Sequence, residues 1–161
     1  MNMLKFRIWD KTKKRYVTDN LAITPSGLIV EVDDDLCGQA NISNNQDNYI
    51  IQQWTGLTDS YGKDIYEGDI ITETHYDSWG DKVGFSYYGI VTWVTCEDTG
   101  DHTHLKTSGF RTYASLENKG KGAGLPLSKY CAIIGNELEN PEFLILLKSG
   151  LATTLFAVNI G

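Results

Sequence analysis

Only three prolines and three cysteines occur in the 161 residues. The cysteines, Cys37, Cys96 and Cys131, stand at wide, irregular spacings and make no CxxC. A disulfide framework or a thiolate metal knuckle is therefore not written here, and reduced thiols in a reducing compartment are expected. No run reaches the ~18–20 uninterrupted apolar residues of a bilayer-spanning helix. The N-terminal "MNMLKFRIWDK" lacks the apolar core of a secretory signal. A cytoplasmic protein without a membrane partner is the expectation. Positive charge is also scarce: 14 Lys and Arg face 21 Asp and Glu, a net charge of -7. A protein that coats nucleic acid needs the opposite balance, because phosphate binding rests on lysine and arginine. Two nucleotide and acyl-transfer signatures are missing as well. There is no G-x-x-x-x-G-K-[ST] phosphate loop and no G-x-S-x-G nucleophile elbow.

Aromatics and glycines are plentiful: 9 Tyr, 4 Trp, 5 Phe and 16 Gly. With many β-branched residues, this composition favours short strands and turns. "LKFRIW" alternates, placing Leu4, Phe6 and Ile8 on one face and Lys5, Arg7 and Trp9 on the other, which reads as a strand with one buried side. "DKTKKR" is then a turn, "YVTDNLAIT" a second strand, and "PSGLIVEVDDD" a turn and a third. Residues 36–48, "LCGQANISNNQDN", read as a polar loop. Further strands follow in "YIIQQWTG", "DIITETHY", "FSYYGIVTWVTCE" and "FRTYASL". Residues 77–84 and the glycine-rich 118–124 are expected as connecting loops. "KYCAIIGN" is a strand that turns at Gly135-Asn136. Asn140 and Pro141 suit the N-cap and first position of a short C-terminal helix. The tail, residues 145–161, is apolar but broken by Lys148, Ser149 and Gly150. It reads either as a helix followed by a strand that packs on a single domain spanning 1–161, or as an oligomerisation segment buried against another subunit.

Groups able to carry chemistry are scattered. His102 and His104 form an H-x-H that would share one strand face, with Cys96 or Asp98 nearby in sequence. The stretch reads as a polar loop, so a metal-dependent hydrolase built on His102, His104 and Cys96 is a minor alternative. Lys11–Arg15, "KTKKR", is a basic turn on which a nucleic-acid-associated module would have to rely. Carboxylates cluster at Asp33–Asp35, Glu67/Asp69 and Glu137/Glu139, and Asp59-x-x-Gly62 is a weak echo of a nucleotide-hydrolysing loop. Asp59 is better read as a turn-former bonded to the backbone ahead of it, with Gly62 at positive φ. The arginines are Arg7, Arg15 and Arg111 alone. A pocket joining one of them to an aromatic would suit an anionic small molecule. Arg7, Trp9, Trp93 and Arg111 are the candidate ligand-binding residues. No catalytic set, metal site or cofactor is expected.

Three blocks carry a resemblance. "KFRIWDKTKKRYV", "QQWTGLTDSYGKDIYEGDIIT" and "IIGNELENPEFL", at about residues 4–17, 50–72 and 133–144, together resemble the YopX family of phage and prophage proteins. The resemblance implies a mainly β fold with a small SH3-like barrel, and homo-oligomers. It implies no established activity and brings no catalytic residues. A non-enzymatic phage accessory protein is the resulting expectation. It would bind a host defence or regulatory component, either a protein or its small signalling ligand.

Overall fold

The structure, a computed structural model, describes residues 4–18, 20–33, 39–43, 46–76, 82–94, 109–113, 125–127 and 130–148. The chain divides into two compact units, Met1–Gln53 and Trp54–Gly161.

In the first unit, β1 (Phe6–Asp10) lies between β2 (Arg15–Val17) and the opening residues of β6 (Tyr49–Thr58), antiparallel to both. Trp9 is opposite Tyr16 on one side and Ile50 on the other. A second sheet runs β3 (Leu21–Ile23), β4 (Ile29–Asp33), β5 (Gln39–Ile42), all antiparallel. Among the described residues of this unit, Ile8, Trp9, Ile29 and Val30 are the buried apolar ones.

Three expectations fail in this unit. The one-sided reading of β1 is wrong: Leu4 is 71% and Phe6 40% exposed, whereas the neighbours Ile8 and Trp9 are both buried. β1 is a central strand, and the Tyr16 ring packs edge-on against Trp9 on the face assigned to solvent. "YVTDNLAIT" is not one strand but two, β2 and β3, parted by Asn20 at φ 62°. The polar stretch 36–48 is not merely a loop either. Its described residues include β5 and a 3-10 turn at Gln46–Asn48. Its polarity has a purpose, since Gln46 acts as a surrogate strand. Its Oε1 accepts the Ile29 N–H at 2.8 Å and its Nε2 donates to Ile29 O and Ser43 O.

In the second unit, β6 continues from Trp54 and pairs with β7 (Asp64–Tyr66). A five-stranded antiparallel sheet has the order β11 (Leu125–Pro126), β10 (Gly109–Tyr113), β9 (Lys82–Val94), β8 (Asp69–Tyr76), β12 (Cys131–Asn136). β9 begins at Lys82, so residues 82–84 are strand and not loop. Period-two alternation gives the sheet two apolar faces. Val91 packs with Ile65, Ile71 and Cys131. Ile90, one residue earlier, packs with Leu147 of the helix α1 (Pro141–Lys148), flanked by Tyr88 and Leu144. The helix begins where Asn140-Pro141 placed it. A mainly β fold with one short C-terminal helix is thus what the chain forms. Among the described residues no ladder joins β11 to β12, and the SH3-like closure rests on the family resemblance alone.

Candidate functional site

The most densely bonded feature is the turn between β6 and β7. Asp59 Oδ1 accepts the N–H groups of Tyr61 and Lys63, both at 2.9 Å. The turn closes through Asp59 N–H to Lys63 O and Gly62 N–H to Asp59 O. Gly62 sits at φ 81°, a conformation that costs a side-chain-bearing residue about 1 kcal/mol or more. So far this is the turn read from the sequence. The other carboxyl oxygen does something the sequence did not reveal: Oδ2 accepts the Ile133 N–H at 3.2 Å, 74 positions along the chain. Ser60 N–H adds a bond to Cys131 O at 2.9 Å. Burial works to raise the Asp59 pKa. The N–H donors of Lys63, Ile133 and Tyr61, helped by the Lys63 charge, nevertheless hold it below its ordinary value. A carboxylate kept ionised, with both oxygens engaged by the backbone, is a structural acceptor and a poor proton-transfer group.

Asp69 repeats the device ten residues on. It is 1% exposed. Its Oδ2 accepts Tyr66 N–H at 2.8 Å and its Oδ1 accepts Asn136 Nδ2 at 3.1 Å. Asn136 Oδ1 in turn accepts Leu138 N–H. The backbone adds Glu137 N–H to Gly68 O and Gly68 N–H to Val91 O. Segment 59–69 is thus clasped to 131–138 by two aspartates. Gly135 is not at positive φ and serves a different purpose. A Cβ there would lie 2.8 Å from both Asn140 Oδ1 and the Phe143 ring; the glycine lets the start of α1 approach β12. Asn140 immediately precedes the helix. Its Oδ1 reaches back to Asn136 N–H at 3.1 Å.

The candidate ligand-binding residues fall in both units. In the first, Arg7 lies over the Tyr16 ring, 4.7 Å from its centroid, and its Nε donates to Gln52 Oε1 at 2.8 Å. Tyr16 Oη donates to the same oxygen at 2.7 Å. Trp9 packs edge-on against Tyr16 at 5.0 Å. Arg7 and Trp9 are therefore brought together, through Tyr16, but Trp9 is only 6% exposed and offers no open ring face. Tyr16 and Gln52 were missed because strand register, not local sequence, places them opposite Trp9 and Arg7. In the second unit, Trp93 on β9 is 45% exposed and is braced edge-on by Phe110 at 4.9 Å. Its register partner is Phe110; Arg111 pairs with Thr92, one step out of phase, and the Arg111 side chain lies outside the described ones. Tyr61 and Tyr130, 85% and 61% exposed, were not singled out, and composition gives no signal for them.

In the basic turn, Lys11 Nζ donates to Asp47 O at 2.7 Å, and Lys13 Nζ is 3.7 Å from Asp10 Oδ2. His102, His104, Cys96 and loop 118–124 lie outside the described residues. Among the described residues no cluster of metal-ligating side chains occurs, and no helix is long and apolar enough to cross a membrane.

A family model described as "YopX protein" matches residues 5–145, a span that takes in all three of the sequence blocks. No curated protein matches the chain. Among solved structures, the chain resembles the crystal structure of protein EF1440 from Enterococcus faecalis, at 21% identity and a TM-score of 0.50. The likeness covers 88% of this chain and 98% of that one, and it supports the fold.

Proposed function

The chain belongs to the YopX protein family, and from that premise we propose that it is a non-enzymatic phage accessory protein. It acts in the cytoplasm of the infected cell, as a homo-oligomer, by binding a host defence or regulatory component: a protein, or the small anionic ligand through which that system signals. The observation that carries this reading is the family match across most of the chain. One feature of the geometry is compatible with binding. Trp93 presents a half-exposed ring on a 13-residue strand and is held edge-on by Phe110. A ring so braced loses little rotamer freedom on binding, which is why aromatics dominate interface energetics. Arg111 on the adjacent strand is in register with Thr92 and not with Trp93, so its charge would serve an anionic group independently of the Trp93 ring. Arg7, already stacked on Tyr16, is the corresponding cation of the first unit.

The test is affinity purification from phage-infected, defence-bearing cells, with mass spectrometry of co-purifying proteins and small molecules, and native mass for the oligomer. Trp93→Ala is expected to lower recovery of the bound component at least tenfold while leaving the circular dichroism spectrum unchanged. Recovery undiminished in Trp93→Ala, Arg111→Ala and Arg7→Ala would remove these residues from the binding surface. No co-purifying component, and no change in any host pathway on expression, would overturn the host-directed reading.

A further inference from the structure

We draw no further inference here: the strongest candidate, the surface patch formed by the exposed tyrosines Tyr61 and Tyr130 on segments joined by the Ser60 N–H to Cys131 O bond, carries nothing because nothing in the structure shows what covers it.

Discussion

Two turns in this chain begin with the same chemistry and end differently. In the first unit, Asp10 Oδ1 accepts the N–H groups of Thr12 and Lys13, both at 2.8 Å, and shapes the β1–β2 hairpin. In the second, Asp59 Oδ1 does the same for Tyr61 and Lys63. The second oxygen separates them. That of Asp10 faces the Lys13 ammonium three residues away, at 3.7 Å. That of Asp59 takes the Ile133 N–H from β12. The Asp10 carboxylate bonds only within its own turn; that of Asp59 also holds a remote strand. The difference explains why "TGLTDSYGKDIYEGDI" and "IIGNELENPEFL" read as separate blocks along the chain yet form one structural object. Their aspartates, asparagines and glycines close a long-range contact within the second unit.

The comparison breaks most visibly if Asp59 loses both oxygens. Asp59→Ala orphans three backbone N–H donors, and at about 1 kcal/mol for each lost bond the second unit should lose about 3 kcal/mol of unfolding free energy in urea. A loss of less than a third of that would mean the clasp is incidental to stability. Gly135→Ala comes next. The added Cβ meets Asn140 Oδ1 and the Phe143 ring at 2.8 Å. Overpacking of this kind costs about 1–3 kcal/mol, and α1 should give way first because Phe143 is one of its residues. Faster amide exchange in 141–148 than in β8 would show this; uniform exchange across both would argue against it.

What the sequence disclosed follows the range of the interactions involved. The Asp59 turn, the positive φ of Gly62 and the helix start at Pro141 were legible, because each is settled within about four residues. The burial of Trp9 was not. It depends on Tyr16 arriving across the sheet, and alternation counts only faces, not what covers them. β5 was missed because it is short and half polar, with Gln39 and Asn41 among its four residues, and its neighbour Gln46 completes Ile29's bonding with side-chain atoms, which resembles loop composition. The candidate site fared similarly. Arg7 and Trp9 both meet Tyr16, and Arg7 also meets Gln52, partners that strand register supplies. The 45% exposure of Trp93 is likewise invisible in the sequence.

The finest division between the two turns comes from the isosteric amides. Asp59→Asn keeps one acceptor oxygen, which satisfies two donors if it stays on the turn, and sets an NH2 group against the Ile133 N–H. The expected loss is about 1–2 kcal/mol, with Ile133 amide exchange accelerated while those of Tyr61 and Lys63 stay protected. Acid gives the same answer by another route. Asp59 titrates lower in the folded chain than in the unfolded one, where an aspartate has a pKa of about 3.9. Its contribution is complete above that value and is lost as pH falls through the folded pKa. The native chain should therefore lose stability more steeply below about pH 4 than Asp59→Asn does; equal slopes would show that the charge is immaterial. Asp10 is also held below its ordinary value, first by the Lys13 N–H, which together with the Thr12 N–H and the Lys13 charge outweighs burial. All of its partners lie within three residues, however, and Lys13 is 62% exposed. Asp10→Asn retains the turn acceptor and removes an ion pair of the exposed kind that contributes little. Its effect on the urea midpoint should be smaller than that of Asp59→Asn. An equal or larger effect would mean that Asp10 carries long-range load as well, and the distinction between the two aspartates would fall.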